Sequence, residues 1–104
     1  MKILISSSGS VLSSLFDKRF GRSAWFCIYS EDTGESHFIK NENKDIPEGA
    51  GKNVVAKVKE LGIKKTISGD FGAKTQALLH DEGIQMIILQ DETKTIQEII
   101  TMIK

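Results

Sequence analysis

Between Lys18 and Arg22 the chain gathers Lys18, Arg19 and Arg22 around Phe20 and Gly21, and Trp25 and Phe26 follow closely. A guanidinium is planar, permanently charged and weakly hydrated, so it suits a large, diffuse anion better than an ammonium does. The segment predicts an anion-binding group, Arg22, beside an aromatic and partly apolar wall, with Arg19 turned to solvent. The plainer reading of Arg22 is a surface salt bridge worth about 0 to 1 kcal/mol.

Three other segments carry glycines that let backbone N–H groups approach a ligand: Ser6 to Ser10, Gly49-Ala50-Gly51 with Lys52 after it, and Gly69 to Gly72. Tight turns account for any one of them. Three at one edge of a sheet make a candidate anion-binding edge. Neither of the later two is a nucleotide loop. Gly69-Asp70-Phe71-Gly72-Ala73-Lys74-Thr75 has Ala where a phosphate loop needs Gly before Lys, and Gly51-Lys52 runs into Asn53. The candidate binding set is Ser7, Ser8, Gly9, Phe20, Gly21, Arg22, Gly49, Gly51, Lys52, Gly69 and Gly72.

The remaining reactive side chains are poorly placed for chemistry. His37 falls in a predicted strand and His80 in a predicted helix, and neither has a ligand at metal-binding spacing, so no metal-ligating residues are expected. Cys27 is the only cysteine, which excludes an internal disulfide, and its neighbours Phe26 and Ile28 suit a small buried hydrophobe. Serines are plentiful from 6 to 14, yet no Ser-His or Cys-His pairing is suggested. Catalytic residues are therefore not expected. The enzymatic alternative uses Asp17 or Asp70 as acid or base on a small phosphorylated or carboxylated metabolite.

Charge sets limits on partners. Fourteen basic and fourteen acidic side chains give a net charge of +0 and are mixed along the chain, which disfavours nucleic acid and anionic membranes. The apolar run Ile3 to Ile5 breaks at Ser6, short of a signal peptide, and no stretch approaches a membrane span. A cytoplasmic protein is expected. At 104 residues it is expected to be a single domain, 1–104.

The elements that must position these groups follow from periodicity. Lys2 to Ser6 reads as a buried strand, with Leu12, Leu15 and Phe16 tucking the following loop against the body. Ala24 to Tyr29 and a stretch through Phe38 and Ile39 flank Glu31 to Gly34 as a hairpin. Val54, Val55, Val58 and Leu61 share one face of a helix stopped by Gly62. Thr66 to Ser68 is a strand, Ala77 to Leu79 lie on a helix closed by Gly83, and Met86 to Leu89 is another strand. Thr95 and Glu98 stand at capping-box spacing before Ile96, Ile99, Ile100 and Ile103. The expected fold is α/β and three-layered: a mixed five-stranded sheet with one antiparallel hairpin and helices on both faces. In such sheets, anions bind where helix N-termini meet the carboxyl ends of the strands.

The opening Met1-Lys2-Ile3 strand with its Ser-Gly loop, Phe16 to Arg22, Asn41-Glu42-Asn43, Gly49-Ala50-Gly51, and Gly69 with Gly72 together resemble one family over nearly the whole chain. It is that of the nitrogenase iron-molybdenum cofactor biosynthesis accessory proteins, of the NifX and NafY type, with the related small molybdenum-copper cluster proteins. The resemblance implies a ribonuclease-H-like fold used as a non-catalytic carrier. Its cargo would be the iron-molybdenum cofactor, its precursor or a related molybdenum-sulfide cluster. Arg19 and Glu48 stand where many relatives look like they carry His, which leaves electrostatic attraction through Arg22, Arg19, Lys52 and the glycine loops. The alternative is a protein-interaction or regulatory module without a cluster, presenting Trp25 and its neighbours to a protein partner in cofactor assembly.

Overall fold

The structure, a computed structural model, describes residues 1–104. Its centre is β1 (Lys2–Ser7), in which Ile3 through Ser7 are all buried, as expected of a strand covered on both faces. β2 (Trp25–Ser30) pairs antiparallel with β1, and β3 (Ser36–Lys40) pairs antiparallel with β2. On the other side β4 (Lys65–Ser68) and β5 (Gln85–Ile88) run parallel to β1, giving the order β3-β2-β1-β4-β5.

Strand alternation sorts the apolar side chains into two cores. Leu4, Phe26 and Ile28 point to one face, where α1 (Ala50–Glu60) brings Val54, Val55 and Val58 and α2 (Ala73–Asp81) brings Leu79. Ile3, Ile5, Cys27 and Tyr29 point to the other, covered by Ile96, Ile99 and Ile100 of α3 (Ile96–Ile103) and by Phe16. The molecule is thus a three-layer α/β sandwich. Gly62 and Gly83 take left-handed φ values of 71° and 68° directly after α1 and α2, which ends each helix and turns the chain toward the next strand. At α3, Thr95 accepts from the Glu98 N–H while the Glu98 side chain accepts from the Thr95 N–H, the reciprocal cap that the spacing predicts.

Two expectations need correction. β5 ends at Ile88, one residue early, although the Leu89 N–H still donates to the Ser68 carbonyl. Of Leu12, Leu15 and Phe16 in the loop after β1, Phe16 alone is buried, whereas Leu12 and Leu15 are exposed. That loop is fixed by its backbone: carbonyls of Leu12 and Ser14 accept from the Gln97 and Ile96 N–H groups, so the leucines are free to face outward. No helix is long and apolar enough to cross a membrane.

Candidate functional site

Because β3 runs parallel to β1, the carboxyl ends of β1, β3, β4 and β5 face one edge of the sheet. The segment from Asp17 to Ala24 is secured there by buried hydroxyls. Ser6 Oγ donates to the Asp17 carbonyl at 2.5 Å and Ser68 Oγ to the Lys18 carbonyl at 3.0 Å. The N–H groups of Gly69 and Asp70 also converge on the Lys18 carbonyl, at 2.8 and 2.6 Å. Gly69 is a packing glycine, since a Cβ there would lie 2.6 Å from both the Leu89 carbonyl oxygen and Lys18 Cβ.

The next residues rest on the first turn of α1. A Cβ on Gly21 would meet the Gly51 nitrogen at 2.8 Å, so two backbones are in direct contact. Asn41 fixes the Gly21 side of this contact: its buried Nδ2 donates to the carbonyls of Gly21 and Ser23 at 2.9 and 2.8 Å, while its Oδ1 accepts from the Asn43 N–H. Arg22 bonds the loop that follows Asn43. Its Nη1 donates to the carbonyls of Lys44 and Ile46, at 3.0 and 2.8 Å, and its Nη2 to that of Pro47 at 3.4 Å. It forms no salt bridge; it pins the 44–47 loop.

These segments enclose a cleft of about 950 Å³ at the N-termini of α1 and α2. Phe20, Gly21, Arg22, Gly49, Gly51, Lys52 and Gly72 of the expected set line it. Ser7, Ser8, Gly9 and Gly69 do not. The Ser8–Gly9 loop leaves the same edge but crosses toward α3, with the Ser8 N–H bonded to the Leu15 carbonyl, and Ser7 Oγ donates to the Gly9 carbonyl. The aromatic wall is also corrected. Phe20 is 1% exposed and packs on Phe71 with ring centroids 5.0 Å apart, and Trp25 does not line the cleft.

Basic side chains outnumber acidic ones in the lining of this cleft. Neither α1 nor α2 has a side-chain cap or an acidic residue in its first turn, and Lys52 and Lys74 occupy those turns. Cations at a helix N-terminus oppose the helix dipole. The first intrahelical bonds run from Asn53 N to Gly49 O and from Gln76 N to Gly72 O, which leaves the N–H groups of Lys52, Lys74 and Thr75 ahead of the hydrogen-bonded ladder. Arg19 and Arg22 add positive charge, against Glu48 and Asp70. Gly72 is unlike the packing glycines: its φ and ψ are −58° and 157°, and nothing lies within 4 Å of where its Cβ would be.

Arg19, expected to face solvent, is half-exposed yet fixed. Its Nε and Nη2 donate to the two carboxylate oxygens of Asp17 at 3.1 and 2.9 Å, and its backbone N–H donates to the same group at 3.0 Å. The hydrogen bond and charge of Asp17 raise the Arg19 pKa further above its ordinary value. Sequence reasoning missed this pair, and also Thr75, Lys74 and the anchors Ser6 and Ser68; an Asp two residues before an Arg was the available signal for the pair.

No group of three His, Cys, Asp or Glu side chains is placed to hold a metal ion. His37 and His80 are exposed on β3 and at the end of α2. Cys27 is 0% exposed, and burial pushes its thiol up to about 12, so it stays protonated and inert at neutral pH.

A family model described as dinitrogenase iron-molybdenum cofactor matches residues 1–104. The structure is similar to the apo form of the orange protein (ORP) from Desulfovibrio gigas, with a TM-score of 0.90 and 25% identity over 98% of this chain and 85% of that one. It is also similar to a Thermotoga protein described as NifB-related and placed in the DUF35 family, with a TM-score of 0.83 and 27% identity over 98% and 85%. The protein PH0822 shares the fold at a TM-score of 0.77 and 18% identity, over 99% and 89%. No curated protein matches the chain.

Proposed function

Since the chain belongs to the dinitrogenase iron-molybdenum cofactor family, we propose that it is a small non-catalytic carrier that holds an anionic metal-sulfur cluster in the cleft at the N-termini of α1 and α2. The cargo class is the iron-molybdenum cofactor, its precursor or a related molybdenum-sulfide cluster. The observation that carries this reading is the pair of uncapped helix N-termini, each with a lysine in its first turn, opening on one cleft with Arg19. Helix N-termini supply N–H donors and partial positive charge to an anion, and guanidinium groups suit soft, diffuse charge.

No Cys, His or Met lines the cleft. The cluster therefore keeps its own sulfide ligands and is held from outside its coordination sphere by hydrogen bonds and charge. The strand order β3-β2-β1-β4-β5 with helices on both faces supports a ribonuclease-H-like assignment. β1, however, ends in Ser6 and Ser7 where two-metal cleavage would call for carboxylates. A second role, contact with a protein partner in cofactor assembly, is favoured by the exposed Val11, Leu12 and Leu15 on the loop after β1.

Binding of this kind is screened by salt. Anaerobic titration with a synthetic anionic molybdenum-sulfide cluster, followed by the cluster absorbance that elutes with the protein in gel filtration, is expected to show saturable uptake that weakens roughly tenfold between low and high salt. Uptake of equal strength at both would contradict an electrostatic site.

A further inference from the structure

Arg19 and Arg22 both line the cleft, but their hydrogen-bonding edges are committed differently. Arg22 directs Nη1 at the carbonyls of Lys44 and Ile46 and Nη2 at that of Pro47, so turning it toward a ligand would orphan the carbonyls of a loop it holds. Arg19 gives Asp17 only the Nε and Nη2 edge. A guanidinium has five N–H donors in a rigid fork, and the Nη1 and Nη2 end of Arg19 remains available.

Asp17 is itself immobile. Its side chain is 6% exposed, it also accepts from the Arg19 backbone N–H, and its carbonyl is held by Ser6 Oγ. The guanidinium is thus set on backbone zipped to the ends of β1 and β4, so little side-chain freedom is lost when an anion binds.

A separate observation lies across the cleft lining. Thr75, in the first turn of α2, is 7% exposed, and its hydroxyl has no hydrogen-bond partner in the protein, while no fully buried side-chain polar atom anywhere in the molecule is left unpaired. The hydroxyl therefore keeps access to the cleft that Thr75 lines. It lies against Gly51, where any side chain would displace it. Its own N–H is one of the donors ahead of the α2 ladder.

We infer that Arg19 and the Thr75 hydroxyl are the side-chain contacts to the bound anion, that Asp17 is the positioning residue that aims Arg19, and that Arg22 shapes the cleft without gripping its contents. This deepens the carrier reading and rests on it. It changes which arginine matters, and it makes the geometry of the Asp17–Arg19 fork, as well as the charge, a requirement for binding. Lysine in place of Arg19 keeps the charge and loses the fork.

The test uses the full chain and the same synthetic molybdenum-sulfide cluster, with each variant's thermal melt recorded. Relative to the parent, Arg19→Ala is expected to weaken uptake about thirtyfold, Arg19→Lys about tenfold and Thr75→Val about fivefold, while Arg22→Ala stays within about threefold. On the unmodified protein, the Arg19 Nε–H resonance is expected to be slowly exchanging through its bond to Asp17 and to shift on saturation, with the Arg22 resonance unmoved. In Asp17→Asn the slow exchange is lost and uptake falls about tenfold. Parent uptake that Arg22→Ala abolishes and Arg19→Ala leaves intact, or a shift at Arg22 Nε–H alone, overturns the assignment and spares the carrier reading. No uptake by the parent overturns both.

Discussion

Gly72→Asp is expected to raise the stability of the fold while lowering its affinity for an anionic cluster about a hundredfold. Gly72 is the N-cap of α2, with no side-chain cap and with backbone angles of −58° and 157° that any residue adopts. Nothing stands within 4 Å of the position its Cβ would take, so a side chain is accommodated without displacement. An aspartate there accepts from the orphan N–H of Lys74 or Thr75, offsets the Lys74 charge and narrows the unfolded ensemble, for a gain of about 0.5 to 1 kcal/mol. Those same donors are the ones offered to the cargo. Filling them internally and adding a carboxylate beside the cargo removes charge-assisted bonds and adds repulsion, which sets the hundredfold scale. Thermal melts and cluster titrations on one preparation check both signs. Gly72→Ala separates the contributions, because it adds neither a cap nor a charge and should keep most of the affinity.

The second large effect concerns the cleft's wall. Asn41→Ala removes two buried donors to the carbonyls of Gly21 and Ser23, together with the acceptor for the Asn43 N–H. Leaving buried polar groups unpaired costs about 1 to 3 kcal/mol each before any relaxation, so a loss of roughly 3 kcal/mol is expected in urea unfolding. Asn41→Asp keeps the acceptor toward Asn43 and loses both donors, and should fall nearly as far. Because the Gly21 carbonyl belongs to the backbone pressed against Gly51, the surviving folded fraction should also bind its cargo more weakly.

Most of the architecture was legible because it is written in local pattern: the continuous apolar runs of β1 and β2, the valine face of α1 and the Thr95–Glu98 box each specify one local conformation. The site was legible only as an edge. Chain order places the loops after β1 and β4 at the same edge, but it does not say which face of the sheet each crosses. The Ser8–Gly9 loop goes to the α3 side, away from the cleft, for that reason. Glycines posed a related problem. Gly21, Gly51 and Gly69 are required by contacts with residues distant in sequence, whereas Gly72 touches nothing, and residue type alone does not separate the two cases. The bonds of Arg22 were not legible because its partners are backbone carbonyls more than twenty residues away. The partner of Arg19 was only two residues off, within reach of a local reading.

The central claim is that an anionic cluster binds at the N-termini of α1 and α2, and amide chemical shifts of the isotope-labelled protein test it most directly. In an anaerobic titration with the molybdenum-sulfide cluster, saturable shifts are expected at Gly21, Lys52, Gly72, Lys74 and Thr75, with Ser8, Gly9 and the self-capped start of α3 at Glu98 unmoved. A spectrum that does not change, or shifts confined to the Ser8 to Leu15 loop, would contradict it.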